Sequence, residues 1–226
     1  MAMTKAERAL RQEIIDQCRW MNASGLNQGT SGNLSARHKD AMLITPSGQP
    51  YDDLAVAEIA AMSIDGADDT WMGPLAPSSE WRFHRDILRT RPDINAVVHT
   101  HSTYATALAI ARKPIPACHY MIAAAGGNSV PCAQYATFGS AALSANVLAT
   151  LEGRTGCLIE NHGVIATGDS LKKAMWLAVE IETLAKQYYL TLAIGGPVLL
   201  EDREIDRVKE KFKTYGLRSA TRGKRS

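Results

Sequence analysis

Length, composition and charge place this chain among ordinary globular proteins. Its 226 residues are 46% hydrophobic, and no stretch reaches the roughly 18 uninterrupted apolar residues of a membrane span. The formal net charge of +2 is far from the basic excess typical of nucleic-acid-binding proteins. The four cysteines form no Cys-x-x-Cys pair, and the N-terminal segment lacks the apolar core of a signal peptide. We therefore expect a cytoplasmic protein with no nucleic-acid or membrane partner.

Hydrophobic periodicity and turn residues predict helices that alternate with short strands. In chain order the predicted elements are a helix over 4–21, strands over 34–37, 41–45 and 59–64, a helix over 79–89, a strand over 96–101, helices over 103–112 and 140–151, a strand over 156–160, and helices over 170–193 and 201–215. Several strands come in hairpin-like pairs. This favours an α/β fold: a single three-layer α/β/α domain over 1–226 with a mixed, largely antiparallel central sheet. We expect the basic stretch at about 219–226 to be a frayed, solvated tail.

Two histidines at the end of the predicted strand over 96–101 are candidate metal ligands. Side chains alternate along a strand, so His99 and His101 point to the same face. Both imidazoles can then reach a single ion at the Zn–N distances of about 2.0–2.1 Å. His162 is the best third candidate, because it closes an apolar strand and Gly163 after it allows a tight backbone turn. Taken alone, His162 also fits a loop histidine without a partner.

Glu80 has two interpretations at the start of the predicted helix over 79–89. An acid in the first turn is favoured by the helix dipole, so Glu80 fits a helix-terminal residue beside a serine. It also fits a carboxylate that ligates the metal or acts as a base beside it. His84 lies four residues later on the same helical face, as an alternative ligand or as a partner behind the ligands.

Three polar segments have compositions suited to an anion, namely 30–33, 45–48 and 78–79. Backbone N–H groups, hydroxyls and a helix N-terminus together favour phosphate without a large positive charge. None of the segments matches a Walker loop or a dinucleotide fingerprint, so nucleotide binding is not expected. Each segment alone also fits an ordinary turn. Tyr120 fits either a proton donor or a packing residue.

Several separate motifs resemble the zinc-dependent class II aldolase and adducin-head family. They are Ser78-Ser79-Glu80, His99-Thr100-His101 and Asn161-His162-Gly163, with longer similar stretches over 78–84, 115–139 and 211–218. The resemblance extends from Gly25 to Arg218. It implies an α/β/α fold and a homotetramer whose active sites lie between subunits.

The resemblance also implies roles for individual residues. Zinc, replaceable by Mn²⁺ or Co²⁺, would be bound by His99, His101 and His162. Glu80 would be the fourth ligand of the free enzyme and the acid/base when substrate arrives. The substrate phosphate would be bound by Gly32, Asn33, Ser47, Gly48, Ser78 and Ser79. The aldehyde side would be formed by Tyr120 and Tyr215 as catalytic groups, with Tyr120 from a neighbouring subunit, and by Phe138 and Phe212.

The activity that the resemblance implies is a reversible aldol cleavage. The substrate would be a small phosphorylated sugar, a deoxy-ketose 1-phosphate such as L-fuculose 1-phosphate, and the products dihydroxyacetone phosphate and a small aldehyde. The aldolase substrates 5-deoxyribulose 1-phosphate and 5-methylthioribulose 1-phosphate are alternatives, because the sequence does not define the aldehyde half. A pentulose-phosphate 4-epimerase, whose branch has aspartate in place of Glu80, and a dehydratase are weaker alternatives. A non-catalytic adducin-like interaction module is weaker still, since all three histidines are present.

Overall fold

A computed structural model describes residues 3–214 of the chain, so Tyr215 and the predicted tail over 219–226 lie outside the described residues. The helices are α1 (Lys5–Ala23), α2 (Trp81–Thr90), α3 (Thr103–Ile110), α4 (Ala141–Thr150), α5 (Leu171–Leu192) and α6 (Asp202–Phe212). The strands are β1 (Asn33–His38), β2 (Ala41–Ile44), β3 (Ala60–Ser63), β4 (Ala96–Thr100), β5 (Cys132–Ala133), β6 (Gly156–Ile159) and β7 (Gly163–Gly168). Short 3₁₀ segments occupy Val56–Glu58 and Tyr120–Ala125.

The seven described strands form one mixed sheet in the order β3-β2-β1-β4-β7-β6-β5. Neighbouring strands are antiparallel except for β5 and β6, which are parallel. The central strand is β4, and its register pairs His99 with Asn33 of β1 on one side and with Ile165 of β7 on the other. The end of β4 that carries His99 therefore lies beside the first residues of both neighbouring strands.

Apolar side chains from the two faces of the sheet pack into separate cores. One core combines α1, α3, α5 and α6 with sheet residues such as Val98, and the other combines α2 and α4 with sheet residues such as Val97. His99 continues the alternation of Val97 and contacts Phe83 of α2, with ring centroids 5.5 Å apart. The predicted three-layer α/β/α fold with a largely antiparallel sheet is confirmed. No helix within residues 3–214 has the length and hydropathy of a membrane span.

The helices lie close to where sequence periodicity predicts them. The first helix begins after Thr4 because the Thr4 hydroxyl accepts a hydrogen bond of 3.1 Å from the backbone N–H of Glu7. The predicted strands correspond to β1, β2, β3, β4 and β6, whereas β5 and β7 are not predicted. Strand β5 has only two residues. Strand β7 starts at Gly163, directly after the turn that follows the predicted strand over 156–160.

Candidate active site

Three histidine side chains converge at one end of the central sheet. The ligand atoms of His99, His101 and His162 all lie within 4.8 Å of one another. His99 Nδ1 donates to the backbone carbonyl of Val164, 2.9 Å away, which leaves Nε2 as the lone-pair nitrogen facing the cluster. The Nε2 atoms of His99 and His101 are 3.0 Å apart. The structure thus brings together the strand pair and the loop histidine that the sequence singles out.

Gly163 lies so close to the histidine cluster that no side chain fits at its position. A Cβ at Gly163 would lie 2.5 Å from the carbonyl oxygen of Thr100, 2.8 Å from the His101 ring and 3.2 Å from the His99 ring. The left-handed residue of the turn is Asn161, with φ 52°. The expectation that Gly163 is needed for its backbone freedom is therefore wrong. Its missing side chain lets β7 approach the histidines, while Asn161 makes the turn.

The carboxylate of Glu80 faces the histidine cluster. Its Oε2 lies 3.3 Å from His99 Nε2, and its Oε1 lies 3.1 Å from His162 Nε2. Glu80 occupies the N-cap position of α2, but its side chain makes no capping hydrogen bond. The helix-terminal interpretation does not account for this side chain, because the carboxylate is turned into the site.

A second row of buried polar groups lies behind Glu80. Asn33 Nδ2 donates to Glu80 Oε2 at 3.0 Å, and Asn33 Oδ1 lies 2.5 Å from His84 Nε2. The other ring nitrogen of His84 lies 2.7 Å from the hydroxyl of Ser35. Of the two alternatives for His84, the structure favours a partner behind the candidate ligands, since both ring nitrogens contact β1.

Burial and neighbouring charge decide the protonation of the cluster. Burial lowers the pKa of His99 to about 4 and that of His84 to about 3, so both rings are neutral near pH 7. Burial also lowers the pKa of His101. Burial opposes ionisation of Glu80, but the imidazoles of His99 and His162 and the amide of Asn33 outweigh it and hold the carboxyl pKa well below its usual range. The site therefore combines the neutral imidazoles of His84 and His99 with the carboxylate of Glu80.

These residues fit a divalent transition metal. Catalytic zinc is bound by three protein ligands, often imidazoles, and keeps a further position open. The ligand must be the neutral form of histidine, which burial of His99 and His101 already favours. A carboxylate oxygen of Glu80 beside the cluster completes a donor set of nitrogen and oxygen atoms.

The three segments predicted to bind phosphate converge beside Glu80. The backbone of Thr45 accepts from the N–H of Ser78 at 2.9 Å, and the N–H of Ser47 donates to Ala76 at 3.1 Å. The N–H of Thr45 donates in turn to Leu34, next to Asn33, at 3.1 Å. Gly32 lies close to the end of β4, since a Cβ added there would be only 2.8 Å from the His99 carbonyl oxygen. The Ser78 hydroxyl accepts from the N–H of Glu80 at 3.3 Å.

The predicted aromatic residues divide between two separate cavities. Phe138 lines a cleft of about 330 Å³ whose other lining residues are Ser31, Ser79, Glu80, His101, Tyr135, Asn161 and His162. Tyr120 and Phe212 line a second cavity, of about 940 Å³, which shares none of these residues. Tyr215 lies outside the described residues. The chain thus brings Phe138, but not Tyr120 or Phe212, to the histidine cleft.

Two residues of the site were not predicted. Asn27 is buried, and its Oδ1 accepts the backbone N–H of His101 at 3.1 Å, which holds the end of β4 against the loop over 27–32. The sequence signal was the polar, glycine-bearing composition of that loop, which suggests an anion site and not a support for a histidine. Tyr135 lines the cleft beside Phe138, and it stands in no pattern that distinguishes it from a surface tyrosine.

Comparison with known proteins places the chain in a family. A profile described as Class II Aldolase and Adducin N-terminal domain matches residues 12–189. The chain belongs to this family. Class II aldolases are metal-dependent, and the chain carries a histidine cluster suited to such a metal.

Individual relatives in the family cover most of the chain. The L-fuculose phosphate aldolase of Escherichia coli strain K12 is 55% identical over 210 residues, which cover 92% of this chain and 96% of that protein. The 5-methylthioribulose-1-phosphate/5-deoxyribulose-1-phosphate aldolase of Rhodospirillum rubrum is 54% identical over 208 residues, which cover 92% and 93%. A solved structure of an L-fuculose 1-phosphate aldolase has a TM-score of 0.87 and 41% identity, and covers 91% of this chain and 96% of that one. The predicted class II aldolase assignment is confirmed.

Proposed function

We propose that this protein is a metal-dependent aldolase that reversibly cleaves a deoxy-ketose 1-phosphate to dihydroxyacetone phosphate and a small aldehyde. The observation that carries the proposal is the carboxylate of Glu80 beside three converging imidazoles, in a chain of the class II aldolase family. L-Fuculose 1-phosphate is the first candidate substrate. The 54% identity with the Rhodospirillum rubrum aldolase favours 5-deoxyribulose 1-phosphate and 5-methylthioribulose 1-phosphate as the second.

The metal of the proposal is zinc, with Mn²⁺ or Co²⁺ as replacements. His99, His101 and His162 would hold it, since their ligand atoms already converge. A bound divalent cation supplies a Lewis acid that stabilises the negative charge left when the C3–C4 bond of the substrate breaks. The chain needs no lysine for this reaction, because the charge does not have to be delocalised into a Schiff base.

We assign the transfer of the proton at C3 to Glu80. In condensation the carboxylate removes a proton from C3 of dihydroxyacetone phosphate, and in cleavage the carboxylic acid returns it. The supporting observation is that Glu80 is only 5% exposed and is turned toward the cluster, so it is shielded from competing water. We assign the transfer of the proton at the aldehyde oxygen to Tyr120, which would donate it in condensation and accept it in cleavage. Tyr215 would lie on the same aldehyde side of the site.

We assign binding of the substrate phosphate to the segments that converge beside Glu80. Gly32, Asn33, Ser47, Gly48, Ser78 and Ser79 are the proposed binding residues. Backbone N–H groups and hydroxyls satisfy a phosphate without a cluster of lysines. Ser79 and Glu80 line the same cleft. This supports a site in which Ser79 binds the phosphate of dihydroxyacetone phosphate while Glu80 lies near C3 of the same molecule.

A homotetramer with active sites shared between subunits is part of the proposal. Tyr120 and Phe212 line a cavity separate from the histidine cleft, so a neighbouring copy must supply Tyr120 if it handles the aldehyde proton. Phe138 would form the aldehyde side from within the chain. We also infer a cytoplasmic enzyme, supported by four cysteines that are all free thiols.

Cleavage rates on the three ketose 1-phosphates test the proposed activity. The purified protein, loaded with zinc, is given each substrate, and release of dihydroxyacetone phosphate is followed with a coupled dehydrogenase. We expect the highest kcat/KM for L-fuculose 1-phosphate, and a higher value for either ribulose derivative would transfer the assignment to it. No release from any of the three would contradict an aldolase of this substrate class.

Metal analysis tests the ligand assignment separately. We expect about one zinc per chain, loss of activity with a chelator and its return when zinc is restored. His101→Ala should lose most of the metal, whereas His38→Ala, at the far end of β1, is a histidine control that should retain it. Full activity in a metal-free sample would contradict the proposal.

A further inference from the structure

Four buried polar side chains form a continuous line that ends at Glu80. Asn33 and Ser35 are two apart on β1 and face the same way, while Glu80 and His84 are four apart on the same side of α2. Where these two faces meet, the order is Ser35, His84, Asn33 and Glu80, joined by contacts of 2.7, 2.5 and 3.0 Å. Ser35 and His84 are fully buried, and Asn33 and Glu80 are 5% exposed.

Hydrogen-bond chemistry allows this line only one direction. An ionised Glu80 carboxylate can only accept, so Asn33 must turn its NH₂ toward it, as the 3.0 Å contact has it. The Oδ1 of Asn33 then faces His84 Nε2, which must carry a proton to donate. In a neutral imidazole the other nitrogen has no proton, so His84 Nδ1 accepts from the hydroxyl of Ser35.

The geometry points to His84 as a positioning residue for the acid/base Glu80, acting through the amide of Asn33. With its Nε2–H fixed on Asn33 Oδ1, the amide cannot flip without placing two donors against each other and an oxygen against the carboxylate. Glu80 therefore receives its hydrogen bond from a donor of fixed orientation. This role rests on the proposed function, in which Glu80 moves the proton at C3. It adds a residue that touches neither the substrate nor the metal.

Stacking holds the imidazole in the plane that this role requires. The ring of Phe83 stacks on His84, with centroids 4.7 Å apart and planes at 23°. The same Phe83 ring meets His99 edge-on. A purely structural histidine would need only to fill this space, so ring volume and hydrogen-bond donation have to be separated experimentally.

Two substitutions separate these contributions. His84→Phe keeps an aromatic ring but removes the donor to Asn33, whereas His84→Gln keeps an N–H donor near the position of Nε2. The control is Ser144→Ala, which removes a partly buried 2.7 Å hydrogen bond to Asp86 on α2, away from Glu80. Each variant is loaded with metal, and deuterium exchange at C3 of dihydroxyacetone phosphate is measured by NMR together with metal content and thermal stability.

We expect His84→Phe to slow exchange about 10- to 100-fold per metal-loaded site, because a misoriented Asn33 amide would deprive the Glu80 carboxylate of its hydrogen bond, and a hydrogen bond to a charged group is worth about 1.5–3 kcal/mol. The loss should fall on kcat, with KM for cleavage nearly unchanged. His84→Gln should recover most of the rate, and Ser144→Ala should exchange at the wild-type rate even where it lowers stability. In an E80Q background His84→Phe should have no further effect, because both changes act on one step.

An activity-independent readout comes from ¹⁵N NMR of histidine-labelled, metal-free protein. The spectrum should contain one protected ring N–H from an Nε2–H tautomer that is lost in His84→Phe. If that variant does not fold, Ser35→Ala tests the same line by removing only the hydroxyl donor, and should slow exchange in the same direction.

The outcomes distinguish this inference from the proposed function. Wild-type exchange in His84→Phe or in Ser35→Ala, an Nδ1–H tautomer for His84, or additive losses with E80Q would overturn the positioning role alone. Wild-type exchange in E80Q itself would show that another group moves the proton. The proposed function would then lose its base, and the positioning role would fall with it.

Discussion

Replacing Gly163 by alanine should damage the metal site through a close contact between β7 and the histidines. The added Cβ would lie 2.5 Å from the carbonyl oxygen of Thr100 and 2.8 Å from the His101 ring, where ordinary van der Waals contact begins near 3.4 Å. Metal–ligand distances tolerate only about 0.2 Å. We expect zinc affinity to fall about 10- to 100-fold, as when the support of a ligand is removed. Overpacking should also cost about 1–3 kcal/mol of unfolding free energy.

Gly168→Ala is the matched control for this prediction. Gly168 ends the same strand, and its added Cβ would lie 2.6 Å from the backbone nitrogen of Ala174, at the opposite end of β7 from the histidines. Urea unfolding of metal-free protein should show a loss of stability in both variants. A competition titration against a chromophoric chelator should show weaker zinc binding for Gly163→Ala only. Equal zinc affinity in the two variants would refute the reasoning.

Three other perturbations have expected outcomes. Glu80→Gln should retain fold and metal but slow C3 deuterium exchange by about 10²–10⁴-fold in NMR, and unchanged exchange would remove it as the base. The metal-free protein should lose stability as pH falls from 6.5 toward about 4, because the fold keeps His84 and His99 neutral while the unfolded chain protonates them. Urea unfolding should show up to about 1.4 kcal/mol per pH unit for each of them, and a flat profile would contradict this. Mixing Tyr120→Phe with His101→Ala should restore activity in hybrid oligomers, and no recovery after subunit exchange would contradict shared sites.

The parts of the site that the sequence predicts are those set by local geometry. His99 and His101 share a face because side chains alternate along a strand, and this holds in any fold that contains the strand. The start of α2 is likewise predicted from the serines and prolines before it. The sequence leaves open whether Glu80 is a helix-terminal residue or a metal ligand and base. His162 needs the family resemblance, because its neighbours along the chain say nothing about what it meets in space.

The parts that the sequence does not predict depend on how elements pack. Spacing places Glu80 and His84 on one side of a helix. The predicted strand over 34–37 begins one residue too late to include Asn33, which shares a side of β1 with Ser35. Nothing in either spacing indicates that these two sides face each other. That contact follows from the register of β1 against β4 and from the seating of α2 over the sheet, which many apolar residues determine together.

Asn33 shows why such contacts alter the meaning of a motif. It is among the proposed phosphate-binding residues, and its side-chain amide also contacts both Glu80 and His84. Glu80 sits at the N-cap of α2 (φ −99°, ψ 12°) and makes no capping hydrogen bond, so its carboxylate is not committed to the helix. The family resemblance implies that it leaves the metal and acts as acid/base when substrate arrives. Asn33, by contrast, lies in a paired strand and is fixed by a buried imidazole. A moving acid/base would therefore leave from and return to a donor that keeps its orientation.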